Sequence, residues 1–392
     1  SYRCASKLKS SLNVKTVVFL AIATFSIFLS NSVVGPVLPV FAAALGGTHL
    51  EVAAVLMLSI VFLSLLPPLS GFIADRYGYI RVIVVGAVAG GIFSLLCIFS
   101  SSWVDLLFLR ALGGVADAFS LPAILGLAAS ISRESKGLVF GVFRSSQGFS
   151  LVLGPLIGAA LSRGFSLRAP FILDFSLSLI AALLFLTFFK GGKLVEEGVS
   201  LRDLAEIVRS RELLKAAYLG FSEGFSFSIW SSFLPVYMLS LGMREVEVGI
   251  VLSVEALAFS CSSVLIGYLS DRVGRKPVAF IGSIVITLSA LGYWFSKSLT
   301  SIVVFSVFYG IGCSSIFLMS TVIAADLIIR GRAALLGGFD ALIDTSLAVG
   351  PTLCWIILKS FGLPVSFAFG VMAFSTGLSV VDALFLRESL KK

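Results

Sequence analysis

The octapeptide GFIADRYG at Gly71–Gly78 returns as GYLSDRVG at Gly267–Gly274, 196 residues later and half the length of the 392-residue chain. The same offset relates VLPVF at 37–41 to FLPVY at 233–237, and the Gly154-Pro155 pair to Gly350-Pro351. Three unrelated motifs at one spacing mark a duplicated unit rather than a chance echo. Each octapeptide closes an apolar stretch and is followed by basic residues. The repeated unit is therefore read as a bundle of apolar helices with short charged turns.

Composition fits that unit. Hydrophobic residues make up 58% of the chain and charged ones 13%, with 35 Phe, and the mean hydropathy is strongly positive. A water-soluble chain of this length needs more polar surface. A membrane span takes about 20 apolar residues, so the chain holds roughly twelve. Apolar runs are read at 16–43, 52–73, 81–101, 104–130, 137–162 and 167–189, then at 214–241, 246–270, 277–297, 300–328, 333–358 and 363–386. The expected fold is all-α, twelve transmembrane helices in two pseudo-symmetric six-helix bundles. Residues 1–190 and 214–392 form the bundles, and the charged stretch 191–213 forms an amphipathic cytoplasmic linker.

The net charge of +8 is a matter of topology. Arg3, Lys7, Lys9, Lys15, Arg76, Arg81, Arg133, Lys136, the run from Lys190 to Lys215, Arg272, Arg275, Lys276, Arg330, Arg332, Arg387, Lys391 and Lys392 all fall on alternate loops. The other side carries Arg163, Arg168, Arg244, Lys297 and Lys359. This positive-inside pattern puts both termini in the cytoplasm and argues against nucleic-acid binding. The five Cys sit in apolar runs or the N-terminal tail, which does not suit a disulfide framework. The first apolar run is too long for a cleavable signal and leads into further spans.

The loop constellations are Gly71, Asp75, Arg76, Gly78 and Arg81, and then Gly267, Asp271, Arg272, Gly274, Arg275 and Lys276. They resemble the Gly-x-x-x-Asp-Arg-x-Gly-Arg-Lys motif of the major facilitator superfamily. The first copy has Tyr79 and Ile80 in place of Arg and Lys, which removes charges that a full relay uses. The resemblance implies that these residues gate the cytoplasmic side; the plainer reading makes them topology determinants with ordinary salt bridges. Arg110-Ala-Leu-Gly113-Gly114 resembles the family's Arg-x-x-Gln-Gly motif, with Asp117 on the same helical face. Two readings stand for Arg110: resetting a proton carrier, or a fixed ion pair, for instance with Asp174. The fifth run, with Gly141, Ser150, Gly154, Pro155 and Gly158, resembles the motif of the superfamily's twelve-helix drug/proton antiporters. Small residues there allow close helix packing, and Pro155 bends the helix.

The single His, His49, falls outside the membrane, so any side-chain proton carrier is a carboxylate. Glu223 and Asp344 each lie about 14–15 Å from the cytoplasmic helix end at 1.5 Å per residue. In the family the first, fourth, seventh and tenth spans line the cavity, which favours Glu223; Glu255 is open between coupling and a structural pair. Arg144 and Asp340 are repeat equivalents, and they pair either across the two bundles or each within its own. Asp382 and Asp326 are read as structural. Candidates for a central substrate cavity are Asn31, Arg144, Gln147, Trp230, Tyr309 and Asp340, with Phe25, Phe221, Phe225 and Tyr237 beside them.

No Gly-x4-Gly-Lys-Ser/Thr loop is present, one His permits no buried Ser-His-Asp arrangement, and no Cys/His metal cluster can form. The expectation is no enzyme, no cofactor and no metal. The resemblance implies a proton-coupled antiporter of the plasma membrane that exports amphipathic or drug-like molecules by alternating access. It would work as a monomer, with a small-molecule substrate, protons and the bilayer as partners. A proton symporter importing a sugar or organic anion, and a non-transporting sensor or scaffold, are the rival expectations.

Overall fold

The computed structural model describes residues 14–132, 134–189, 209–328 and 331–389. Among these residues the structure is helical throughout, with no strand. The first lobe holds α1 (Val14–Val34), α2 (Leu38–Ala44), α3 (His49–Leu65), α4 (Pro67–Tyr77), α5 (Tyr79–Leu96), α6 (Trp103–Ile131), α7 (Lys136–Gly164) and α8 (Ala169–Phe188). The second holds α9 (Arg211–Ser240), α10 (Glu245–Val273), α11 (Arg275–Phe295), α12 (Leu299–Leu327), α13 (Arg332–Phe361) and α14 (Phe367–Phe385). The expected linker helix falls on 191–213, of which 191–208 lies outside the described residues.

Nine helices among the described residues are long and apolar enough to cross a bilayer. The pair α3–α4, bent by 46°, makes a tenth. The bend falls at Pro67-Pro68, where proline withdraws backbone donors. The two other long helices, α7 and α9, have 29 and 30 residues and fall short only in apolarity. They carry Arg144, Gln147, Glu223 and runs of Ser and Gly. Counted with them, the architecture is consistent with twelve crossings. The least apolar spans thus carry part of the candidate site.

Within the first lobe α1 packs on α7 and α8, and α5 packs on α6 and α8. The second lobe repeats this with α9 on α13 and α14, and α11 on α12 and α14. Across the lobes α7 lies along α10, and its repeat equivalent α13 lies along α4. Both seams are tight at one end only. Along α7, Gly137, Gly141 and Gly148 meet Gly267, Ser263 and Ser260 of α10, whereas Gly154 and Gly158 meet Ser32 and Val33 of α1 in their own lobe. In α13 the stretch Ala333–Phe339 is largely buried, while Leu347, Val349, Leu353 and Trp355 are exposed. The lobes are closed at the end bearing Arg76, Arg81, Lys136, Arg272 and Arg275, here called the basic face, and part toward the other.

Candidate functional site

Two carboxylates clasp the lobes at the basic face. Asp75, at the end of α4, accepts hydrogen bonds from the backbone N–H groups of Ala333 (3.1 Å) and Ala334 (2.9 Å), in the first turn of α13. Asp271, at the end of α10, accepts from Gly137 (2.9 Å) and Leu138 (2.8 Å), in the first turn of α7. Acceptors and donors are repeat equivalents, so one bond pattern is made twice with the lobes exchanged. An anion at a helix N-terminus meets unpaired N–H groups and the positive end of the dipole. Gly71 and Gly267 let the backbones close: a Cβ on Gly71 would collide with Ala333 and Ala334, and one on Gly267 with Gly137. Gly78 and Gly274 turn the chain at φ 95° and 118°, which only glycine adopts readily. Arg76, Arg81 and Arg272 are exposed at the rim, with Arg272 over the Tyr268 ring at 4.3 Å.

The departure at Tyr79 is compensated. Its hydroxyl donates to Asp75 Oδ1 at 3.0 Å, where the equivalent Arg275 forms an ion pair with Asp271 Oδ1 at 2.7 Å. The second copy carries its charge further. Arg275 Nε reaches Asp326 at 3.2 Å, and Asp326 bonds across the lobes to Lys136 Nζ at 3.1 Å. Ser130 stands at the repeat equivalent of Asp326, so the first copy has no matching acid there. The tail after α14 joins the second cluster. Glu388 accepts from the Arg275 N–H at 2.9 Å, and Ser389 donates to Asp326 at 3.1 Å. Asp326, read from sequence as structural, thus bridges the two lobes.

A cavity of about 460 Å³ lies between the lobes beyond this clasp. Gln147, Gly148 and Leu151 of α7 are the first lobe's share of its wall. The second lobe supplies Glu223, Phe227, Trp230 and Ser231 from α9, Leu252, Glu255 and Phe259 from α10, Phe317 from α12, and Ile343, Asp344, Ser346 and Leu347 from α13. Glu223, Glu255 and Asp344 therefore share one chamber with four aromatic rings. Glu223 also hydrogen-bonds Cys313. Behind Trp230, Tyr309 stacks at 5.4 Å and bonds Ser226 at 2.9 Å, so Tyr309 stiffens the wall from behind.

Arg144 and Asp340 pair across the lobes. The guanidinium donates to Asp340 Oδ2 at 3.4 Å, to Thr321 Oγ1 at 3.0 Å and to Gln147 Oε1 at 3.1 Å, and lies over the Phe317 ring at 3.8 Å. Arg144 is 2% exposed and Asp340 7%. Because the two are repeat equivalents in direct contact, they mark the pseudo-two-fold axis, on the basic-face side of the cavity. Gln147 and Phe317 link them to the wall.

Asn31, Arg110 and Asp117 are gathered elsewhere, inside the first lobe. Asn31 of α1 hydrogen-bonds Asp117 of α6, whose carboxylate backs onto Gly90 of α5. Arg110 sits among Asp117 and Asp174, and Ser178 donates to Asp174 at 3.3 Å. None of these residues lines the chamber that holds Glu223 and Asp344. The small residues of α7 divide their work: Gly141 faces the carbonyl of Ser263 across the seam, Gly154 and Gly158 take the backbone of α1, and Ser150 donates to Phe25 O at 3.2 Å. Pro155 lies within the helix. Phe227, Phe259, Phe317, Thr321 and the Lys136–Asp326 pair were not legible in the sequence. Among 35 Phe nothing marks three as wall residues, whereas Lys136 sits at the repeat position of Arg332, a signal that was available.

Two helical lobes clasped at one face, with a polar chamber between them, define a class: an integral membrane helical bundle. A model of the Major Facilitator Superfamily matches residues 20–258 and again 216–392, and the chain belongs to that family. It is 24% identical to the human synaptic vesicular amine transporter over 306 residues, 76% of this chain and 59% of that protein's length. It is 27% identical to the multidrug resistance efflux pump PmrA of Streptococcus pneumoniae over 276 residues, 67% of this chain and 69% of the pump. Its fold is similar to the crystal structure of FucP in the outward conformation, with TM-score 0.81 and 13% identity over 95% of this chain and 99% of that one.

Proposed function

We propose that this chain is a secondary transporter that exports lipophilic organic cations in exchange for protons across the plasma membrane. The observation carrying the reading is the chamber itself. Three carboxylates and four aromatic rings line it, while the nearby cation, Arg144, is already bound to Asp340. A cation is held there by charge and ring faces together. An anion meets three like charges, which weighs against the organic-anion and sugar symporter readings.

The proton side of the exchange falls to the same carboxylates. Glu223 and Glu255 are 6% and 5% exposed, and Asp344 is partly exposed. Protonation there removes the charge that holds the cation, so proton and substrate compete. The basic face is read as cytoplasmic from its charge, with both termini on that side. The captured state then faces outward, held by Asp75 and Asp271 at the helix N-termini. Arg110, Asp117 and Asp174 are a second, partly buried acid–base group in the first lobe, and we assign them a supporting place in proton coupling.

The similarity to an amine transporter and to an efflux pump supports this reading and does not carry it. The test uses the purified chain in proteoliposomes with an imposed pH gradient and a fluorescent aromatic cation. Gradient-driven cation movement in exchange for protons is expected, abolished by Glu223→Gln. Cation moving in the same direction as protons would replace export with symport. No gradient-dependent movement of any cation tested would refute the reading.

A further inference from the structure

The geometry points to a second cation subsite on the basic-face side of the chamber, formed by Phe317, Thr321 and Asp340 and filled in this conformation by the chain's own Arg144. We propose that Arg144 acts there as a tethered stand-in for the transported ligand. The subsite takes an ammonium or guanidinium group that carries hydrogen-bond donors.

Its parts are those of a cation site in miniature. A ring face lies 3.8 Å from the guanidinium carbon, a hydroxyl accepts at 3.0 Å, and a carboxylate accepts at 3.4 Å. Asp340 is 7% exposed, and its other oxygen, Oδ1, has no hydrogen-bond partner; a ligand better centred than the tethered side chain has an acceptor waiting. Burying an unpaired carboxylate oxygen is costly, so its persistence calls for a visitor that uses it.

Position makes the subsite part of a path. Phe317 also lines the chamber, and Asp344, on the chamber wall, lies about one helical turn from Asp340 on α13, about 6 Å along the axis. The three subsite residues all belong to the second lobe, whereas Arg144 belongs to the first. Parting the lobes at the basic face therefore withdraws the guanidinium and leaves ring, hydroxyl and carboxylate together and empty. A cation held at Asp344 then has a matched acceptor one turn deeper. While the lobes stay closed, Arg144 fills that place and seals the floor.

This assignment deepens the cation-export reading and rests on it for the identity of the visiting ligand. Its test needs no transport, so the two fail separately. Arg144→Ala protein is titrated with guanidinium chloride in the low-millimolar range at constant ionic strength, and thermal unfolding is followed. A saturable rise of about 2–4 °C is expected for Arg144→Ala. Wild type, with the subsite filled, and Arg144→Ala/Asp340→Asn, without the carboxylate, are expected to show no saturable rise. An equal response in all three proteins, or none in Arg144→Ala, overturns the proposal. Should the alanine variant not fold, Arg144→Gln is titrated in the same way. In liposomes Arg144→Gln is further expected to show a several-fold lower KM for a lipophilic primary amine together with a lower kcat. A purely structural arginine would lower kcat alone.

Discussion

Replacing Asp271 by Asn tests whether the clasp sets the balance between the two faces. The carboxylate accepts two backbone N–H bonds from the opposite lobe, at 2.9 and 2.8 Å, and neither survives if the lobes part at the basic face. Charge-assisted bonds contribute about 1.5–3 kcal/mol each and neutral ones about 0.5–1.5 kcal/mol. The amide keeps one acceptor and loses the charge, so the closed state loses about 2 kcal/mol relative to the open one. That corresponds to about a 30-fold shift in their ratio. The readout is the distance between spin labels at Tyr77→Cys and Val273→Cys, which sit at the basic ends of the two lobes and are 56% and 59% exposed. Cys4 and Cys261 are first replaced, since Cys261 is exposed and Cys97, Cys313 and Cys354 are buried. A longer-distance population is expected to grow in Asp271→Asn and, by the repeat, in Asp75→Asn. A distance distribution identical to that of the parent in both variants would show that the clasp is incidental to closure.

Tyr79→Phe removes a hydrogen bond made within the first lobe that orients Asp75, so the same label pair should register a shift in the same direction as, and smaller than, that of Asp75→Asn. Gly267→Val sets a branched side chain against the backbone of Gly137; the seam of α7 and α10 is then expected to stay open at the basic face, with one-way trapping of substrate and little loss of folded protein in detergent. Asp326→Asn removes the partner shared by Lys136 and Arg275, and a fall in unfolding temperature larger than that of Lys136→Met is expected, because it unsettles two buried cations at once.

The fold was legible because bilayer physics leaves few choices: apolar runs of span length, charged turns and one constant offset admit little besides a duplicated helical bundle. The clasp was legible to the level of Asp75 and Asp271, because a motif made twice reports a contact made twice. That Tyr79 takes the place of Arg275 could not be read, since it depends on a hydroxyl reaching one carboxylate oxygen. The choice between the two pairings of Arg144 and Asp340 was likewise open, as hydropathy fixes depth in the membrane and not azimuth. Polarity or aromaticity alone marks Asn31 and Tyr309 as cavity candidates. The structure turns Asn31 into the first lobe and sets Tyr309 behind Trp230, because helix rotation decides which face meets the chamber. Phe317 had no distinguishing mark among 35 Phe, and it acquires one only from the guanidinium resting on it.

Arg144 and Asp340 occupy the one kind of place where a duplicated protein meets its own reflection. In two identical halves a residue on the axis faces another copy of itself: an arginine would oppose an arginine, an aspartate an aspartate, and either pair would repel in a dry interior. Opposite charges at that point exist only once the halves have ceased to be the same. The pair is therefore a record of divergence, and it sits beside a chamber whose acids have all gathered on one side.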